Sequence, residues 1–191
     1  MIRVEIDTQQ ITEAQRILKK LGESARPLMA RSINKAVKGV PTDATREARK
    51  TYTVTARSVR DSFKTQEASK NRLHGEATSK GSPLRLYHFA PRPKKPTTQP
   101  KQGVSVSPKG ARWKIPGSFI AKMKKGGNPN QETVGRGIFV RKSKSRYPIQ
   151  QLYGPSVPQM VDNRDVREVV EKGAQERMHK NLDHEVSRHL R

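Results

Sequence analysis

The chain begins with an alternation of apolar and charged residues and then changes to helical spacing. Within residues 2–6, isoleucine and valine alternate with arginine and glutamate, the period of two that is typical of a short, half-buried strand. Asp7 and Thr8 can cap a helix that follows, and Gly22 supplies a stop. The apolar positions of this predicted helix are Ile11, Ala14, Leu18 and Leu21.

A second run of helical spacing begins near Ser24, with Pro27 in its first turn. Pro41 predicts a kink or an interruption, because proline lacks the backbone N–H and clashes with the preceding turn. Helix-forming residues resume up to Lys50, and a short helix is predicted over residues 55–63. The apolar stripe of the second helix consists of Leu28, Met29, Ile33, Ala36, Val37 and Val40.

Helical periodicity ends near Asn71, so residues 8–64 are predicted to be mainly helical and residues 71–150 to form a sheet. The proline-rich segment 91–100 predicts an extended arm, and the glycine-rich segment 124–130 predicts a flexible loop. The strands are predicted from short alternating runs bounded by glycine and proline. These runs are Leu73 to Ala77, Leu84 to Phe89, Val104 to Val106 and Gly137 to Arg141.

A last helix is predicted over residues 164–190, and its sparse apolar stripe leads us to expect packing against another subunit. The elements together predict an α+β protein with a single domain over residues 1–191. This fold has an N-terminal strand and helices, a small and mainly antiparallel sheet with long basic loops, and a C-terminal helix. The stripe of the last helix consists of Val166, Val169 or Val170, Gly173, Arg177, Asn181 and Val186.

Charge changes this picture, because the chain carries 40 Lys and Arg against 17 Asp and Glu, a net charge of +23. Ile, Val, Leu and Phe make up only about 19% of the 191 residues, a combination that is typical of disordered chains. Between Lys80 and Arg146 there are 17 Lys and Arg and a single acid, Glu132. We therefore expect a polyanionic or acidic partner, and burial that is completed in part by copies of the chain.

The residue types needed for catalysis are poorly placed. The chain has no cysteine, and its five histidines form no H-E-x-x-H or H-x-x-x-H pair for a metal. The segment 75–82 lacks the spacing of a phosphate-binding loop, no G-x-S-x-G motif is present, and the acids lie almost entirely in the two helical ends. No apolar run approaches the roughly 18 residues of a membrane span, and the N-terminus lacks a signal peptide's apolar region. The sequence predicts no enzyme, cofactor, metal or membrane partner.

Clustered cations are the candidate site. Such clusters bind a nucleic-acid backbone without reading its sequence, whereas the alternatives are contact with an acidic protein or a merely solvated surface. The aromatic residues of the sheet region are dispersed, which favours a place in its core over stacking on bases. These aromatic residues are Tyr87, Phe89, Trp113, Phe119, Phe139, Tyr147 and Tyr153. The candidate contact residues are Lys122, Lys124, Lys125, Arg141, Lys142, Lys144 and Arg146.

Two stretches of the sheet region resemble the bacteriophage minor tail protein Z family, the tail completion proteins of lambda-like tails. In that family an I-P-G-x-F-I segment precedes a loop, a strand ending in basic residues and an R-Y-P-I turn, in the same order and spacing as here. The proline-rich arm at 91–100 departs from the pattern. The matching structural positions are Ile115, Pro116, Gly117, Phe119 and Ile120, followed by Arg146, Tyr147, Pro148 and Ile149.

The resemblance implies a structural virion protein without enzymatic activity, assembled in the bacterial cytoplasm and located in the neck region of the tail. It would complete the tail at its head-proximal end and join it to the head. The partners it implies are further copies in a hexameric ring, the tail terminator, the tail tube, the head-tail connector and double-stranded DNA in the channel. The charge by itself keeps open a free, sequence-nonspecific nucleic-acid-binding protein, and more remotely a phage nuclease.

Overall fold

The structure of the chain, a computed structural model, describes residues 1–7, 16–17, 19–20, 22, 25–96, 102–124 and 133–189. Most of the predicted helix that ends at Gly22 lies outside the described residues. The same holds for the end of the predicted proline-rich arm at 97–100, and for the predicted loop beyond Lys124.

The described elements confirm the α+β class, with strands and helices segregated along the chain. Residues Leu86–His88 form a short 3-10 helix. The helices are α1 (Ala25–Thr51), α2 (Ala56–Asp61), α3 (Val157–Val161) and α4 (Arg164–His189). The strands are β1 (Ile2–Asp7), β2 (Phe63–Gln66), β3 (His74–Ser79), β4 (Val104–Val106), β5 (Trp113–Ile115), β6 (Phe119–Lys124), β7 (Thr133–Arg141) and β8 (Ile149–Gln151).

The chain divides into two compact units. The first, here called the helical unit, comprises Met1–Ala48, Ala56–Gly81 and Val157–Arg191. The second, here called the basic unit, comprises Arg49–Thr55 and Ser82–Ser156. Each unit contains strands, because β1, β2 and β3 belong to the helical unit and the remaining five strands belong to the basic unit.

The sheet of the helical unit has the order β1-β3-β2, with both pairs antiparallel. Along β1 the side chains of Ile2, Val4 and Ile6 are buried, whereas Arg3 and Glu5 are exposed. The alternation of apolar and charged residues therefore marks a short, half-buried strand, as the sequence predicts. At Gly75 an added Cβ would lie 2.7 Å from Ile33 Cγ2, so only a glycine allows α1 to approach β3 this closely.

Helix α1 is continuous through Pro41, so the predicted interruption is wrong. The six apolar positions of its predicted stripe are all buried, and the stripe continues after the proline through Ala44 and Ala48. The Thr45 hydroxyl donates a hydrogen bond of 2.6 Å to the carbonyl of Pro41. Because helical stability in proteins comes mainly from packing of the apolar face, burial on both sides of Pro41 offsets the missing backbone donor. Across the described residues, no helix is both long enough and apolar enough for a membrane crossing.

Helix α4 packs into the core of its own unit, so the expectation that it lacks such a core is wrong. Leu182 and Met29 are fully buried in one cluster. Val169, an alternative member of the predicted stripe, is 44% exposed, whereas Val170 is fully buried. The buried positions recur every four residues and include small and sulfur-containing side chains that the predicted stripe omits. They are Val166, Val170, Ala174, Met178, Leu182 and, one position off, Glu185.

Arg177, which the sequence places on the apolar stripe of α4, instead forms a partly buried ion pair. Its guanidinium donates a hydrogen bond to the buried carboxylate of Asp43 on α1. A Cβ at Gly39 would lie 2.1 Å from Arg177 Nη1. The glycine therefore leaves the space in which the guanidinium lies against α1.

Glu185 is a buried acid near the end of α4, and its side chain is only 1% exposed. Lys35 Nζ donates to Glu185 Oε1 at 2.8 Å, and the guanidinium groups of Arg31 and Arg188 contact Oε2 at 2.9 and 3.0 Å. The hydrogen bond from Lys35 is the largest cause that holds the pKa of Glu185 below its ordinary value, against the opposing effect of burial.

Replacing Glu185 with glutamine is expected to lower the free energy of unfolding at pH 7 by about 1–3 kcal/mol. The substitution removes the carboxylate charge that strengthens the hydrogen bonds from the three neighbouring cations. A carboxyl with a depressed folded-state pKa stabilises the fold above its unfolded pKa of about 4.3, and this contribution is lost as the pH falls through the folded pKa. The difference between wild type and Glu185→Gln is therefore expected to shrink in acid.

The measurement is urea unfolding followed by circular dichroism at a series of pH values. The matched control is Glu168→Gln on the same helix, since the side chain of Glu168 is 62% exposed in its pair with Arg164. A difference for Glu185→Gln that is constant from pH 7 into the acid range would contradict the expectation.

The basic unit contains two separate antiparallel sheets, β4-β5 and β6-β7-β8. The predicted strand at 104–106 is confirmed as β4, and the one at 137–141 is the second half of β7. The predicted strand at 84–89 is wrong, because Leu86–His88 forms the 3-10 helix. Leu86 and Phe89 are both buried, so the apolar spacing there is three residues and not two.

Candidate interaction surface

The positive charge is concentrated in the basic unit. This unit contains 18 Lys and Arg and one acid, Glu132, whereas the helical unit contains 22 Lys and Arg and 16 acids. In the helical unit the acids are close to cations of the same unit, as in the cluster around Glu185. Glu132 lies outside the described residues. The cations of the basic unit therefore have almost no carboxylate of their own unit to neutralise them.

The sheet β6-β7-β8 brings most of the predicted contact residues to one part of the basic unit. Lys122 and Lys124 belong to β6, and Arg141 ends β7. Lys142, Lys144 and Arg146 are exposed in the loop between β7 and β8. Lys125 lies outside the described residues.

Arg136 is a neighbouring cation that lies outside the predicted contact residues. It is the direct cross-strand partner of Lys122 in the register of β6 and β7. Its Nη1 donates hydrogen bonds to the hydroxyl of Tyr87 at 3.1 Å and to the carbonyl of Lys94 at 3.4 Å. Two like charges directly opposite each other are unfavourable in a sheet, so this pair favours an anion nearby. Only the strand register reveals the pairing.

Arg141 is held in position by contacts with Phe119 and with the backbone of Arg146. Its guanidinium carbon lies 5.2 Å from the centre of the Phe119 ring, within the range of a cation–π contact. Its Nη1 donates a 2.7 Å hydrogen bond to the carbonyl of Arg146. The backbone N–H of Lys142 donates to the carbonyl of Pro148 at 3.1 Å. These bonds fix the base of the loop that carries the other cations.

The I-P-G-x-F-I segment joins β5 to β6 by a turn. Ile115 ends β5 and Gly117 has a φ of 68°, a conformation that favours glycine. Ile120 is buried and Phe119 is half-buried. The unassigned position of the motif is Ser118, which is 1% exposed. Its hydroxyl donates to the carbonyl of Ile115 at 2.6 Å and accepts from the N–H of Val104 at 2.9 Å, so it ties the turn to β4.

The R-Y-P-I turn lies at the surface, and the prediction that the aromatic residues form the core is wrong for three of them. Trp113, Tyr147 and Tyr153 are 58%, 65% and 54% exposed, whereas Phe89 is fully buried. The peptide bond between Tyr147 and Pro148 is cis. The core of the basic unit is mainly aliphatic, because the buried strand positions are occupied by Val104, Val106, Ile120 and Ile138.

A cluster of possible metal ligands lies in the helical unit. Ligand atoms of Glu5, His74 and Glu76 lie within 4.8 Å of one another. The guanidinium of Arg3 already contacts both carboxylates, at 3.2 Å for Glu5 and 3.3 Å for Glu76. Arg3 of β1 therefore offsets one of the two carboxylate charges of the cluster.

Comparison with protein families matches residues 9–191 to the model described as "Prophage minor tail protein Z (GPZ)". Searches of curated proteins and of solved structures return no match. The matched range includes the I-P-G-x-F-I and R-Y-P-I segments, the sheet β6-β7-β8 and all of the contact residues described above. The chain belongs to the prophage minor tail protein Z family.

Proposed function

We propose that the chain is a structural protein at the head-proximal end of a phage tail, where it completes the tail and joins it to the head. Membership of a minor tail protein family supports a structural role in the virion tail. Beyond that structural role, we propose a position in the neck of the virion and a role in joining the tail to the head. A protein in this role acts by binding its neighbours, so it needs no catalytic group and no cofactor.

The observation that carries the proposal is the division of charge between the two units. The basic unit has 18 Lys and Arg against one acid, and several of these cations lie together on the sheet β6-β7-β8 and its loop. A surface of this kind attracts phosphates or carboxylates. We propose that copies of the chain form a hexameric ring in which these cations face the DNA path or acidic surfaces of the tail terminator, the tail tube or the head-tail connector.

Replacing Lys122, Lys142, Lys144 and Arg146 together with glutamine is expected to lower the yield of infectious particles by about tenfold or more. Each exposed ion pair contributes up to about 1 kcal/mol, and every 1.4 kcal/mol is about a tenfold change in an equilibrium. The assay complements a prophage that lacks its own copy of the gene, then counts plaques and measures the DNA retained in purified particles.

The matched control replaces four exposed cations of the helical unit, Lys38, Arg57, Arg164 and Lys172, with glutamine. It makes the same change in net charge and is expected to leave the yield within about twofold of wild type, since exposed pairs contribute little. Unchanged yield and DNA retention with the first variant would refute the electrostatic contact. Absence of the wild-type chain from purified particles would refute the structural role and favour a free nucleic-acid-binding protein.

A further inference from the structure

One face of the sheet β6-β7-β8 carries buried isoleucines together with the exposed Lys122 and Arg136, whereas the other carries half-buried aromatic and sulfur-containing side chains. Ile120 and Ile138 are buried on the first face. Residues one position away in β6 and β7 point to the opposite side, because side chains alternate along a strand. We call this opposite side the aromatic face. It consists of Phe119, Met123, Phe139, Arg141 and Gln151, with Tyr153 beside it.

The side chains of the aromatic face hold one another in place. The rings of Phe119 and Phe139 are stacked with their centres 6.1 Å apart, and Arg141 lies over Phe119. Gln151 Nε2 donates to Met123 Sδ at 3.5 Å, and the Tyr153 hydroxyl donates to Gln151 Oε1 at 3.1 Å. A surface that is ordered before binding loses less conformational entropy when a partner arrives.

Gly137 creates the space for this arrangement. A Cβ at this position would lie 2.9 Å from Phe139 Cε2 and 3.1 Å from Gln151 Nε2. The ring and the amide therefore occupy the volume where any other residue would carry its side chain. The glycine thus leaves room for the side chains of the aromatic face.

The composition of the aromatic face matches that of protein interfaces. Aromatic residues, methionine and arginine are enriched in the cores of interfaces, and tyrosine and arginine recur among the residues that contribute most to affinity. Tyr153 is 54% exposed, and Phe119, Met123 and Phe139 are each partly accessible to solvent. Along one side runs the cationic loop with Lys142, Lys144 and Arg146.

We propose that the aromatic face binds a second protein, whose contact surface has an apolar centre and aspartate or glutamate side chains at its rim. The guanidinium of Arg141 has five N–H donors, one of its nitrogens bonds to the carbonyl of Arg146, and its central carbon lies 5.2 Å from the centre of the Phe119 ring. A planar guanidinium suits bidentate binding of a carboxylate. The rings would be covered by apolar side chains of the partner. This inference rests on the proposed function, because it specifies the chemistry of the partner that the basic unit is proposed to bind.

Charge and shape favour such a partner over a second copy of the chain and over duplex DNA. A second copy that offered the same face would bring two cationic loops together, and like charges in contact oppose association. Duplex DNA presents phosphates to a protein surface, and it would leave the rings of Phe119 and Phe139 without apolar contact. An acidic protein surface satisfies both the apolar residues and the cations.

The test uses the full chain in assembled particles, with the photoreactive amino acid benzoyl-phenylalanine at position 153 in place of tyrosine. After irradiation of purified tails, mass spectrometry identifies the cross-linked molecule. The expected product joins the chain to a different tail or head protein, within a segment that contains Asp or Glu. The matched control places the same amino acid at position 169, where Val169 is 44% exposed in the helical unit; this position is expected to give a different set of products.

Arg141→Gln is expected to lower the cross-link yield from position 153 about tenfold, and Arg141→Lys to restore only part of it, because lysine keeps the charge and loses the planar fork. Lys114→Gln, an exposed cation of β5 in the same unit, is the matched control and is expected to leave the yield unchanged. Equal yields from wild type, Arg141→Gln and Lys114→Gln would overturn the role of Arg141.

The outcomes separate this inference from the proposed function. If the chain is present in tails and position 153 cross-links only to DNA, only to another copy or to nothing, the inference is overturned while the tail role stands. If the chain is absent from tails, the proposed function fails and the inference fails with it.

Discussion

Replacing Phe89 with alanine is expected to lower the free energy of unfolding by about 3–5 kcal/mol, since the change removes a buried ring and leaves a cavity. Phe89 is fully buried and is the largest such side chain in the described part of the chain. A Cβ at Gly154 would lie 2.6 Å from Phe89 Cε2, so backbone packs directly against the ring. The carbonyl of Phe89 also accepts a 3.0 Å hydrogen bond from Ser107.

The measurement is urea unfolding of the full chain followed by circular dichroism. Trp113→Ala is the matched control, because it removes an even larger ring from the same unit at a side chain that is 58% exposed. It is expected to change the free energy of unfolding by no more than about 0.5 kcal/mol, as is usual for surface substitutions. Equal losses for the two variants would contradict the placement of Phe89 in the core.

Replacing Leu182 with alanine is expected to lower the free energy of unfolding by about 2–5 kcal/mol, the range for leucine-to-alanine changes in a core. Leu182 is fully buried against Met29, with Ile17, Leu73 and Val186 packed around this pair. This loss in the free energy of unfolding is expected even at concentrations at which the chain is monomeric, because the contacts lie within one copy.

This substitution distinguishes the two interpretations of α4. If the helix packed against another subunit, as its sparse stripe first suggests, Leu182→Ala would weaken association and leave the monomer unaffected. Sedimentation velocity alongside urea unfolding separates the two effects. Val169→Ala on the same helix is the control, since Val169 is 44% exposed; it is expected to stay within about 0.5 kcal/mol of wild type.

The sequence predicts the elements whose apolar spacing is regular and misjudges those in which small or charged residues take part in the core. β1 and α1 follow from simple periodicity, because aliphatic residues and alanine form a regular stripe in each, although the buried set of α1 also includes Ser32, Asp43, Thr45 and Glu47. In α4 the buried set includes Ala174, Met178 and Glu185, so the apolar face looks weaker than it is. Burial of Glu185 depends on Lys35 and Arg31 from α1, and no local pattern reveals partners about 150 residues away.

The candidate site is predictable in its composition and not in its geometry. The run of cations from Arg141 to Arg146 is visible in the sequence, as is the family motif that contains Arg146 and Tyr147. The aromatic face needs the strand register, which places Phe119 opposite Phe139 and so brings Arg141 over a ring. Register is a tertiary property, since it is set by which face of each strand is buried.

The uneven charge of the two units has a consequence for how each responds to ionic strength. The helical unit contains ion pairs at distances such as 2.8 Å between Arg167 and Glu171 and between Lys38 and Glu67; dissolved ions screen such attractions and weaken them. In the basic unit, with 18 cations and one acid, the same screening relieves repulsion. Added salt is therefore expected to destabilise the helical unit and to stabilise the basic unit. The basic unit is expected to be least stable in dilute buffer.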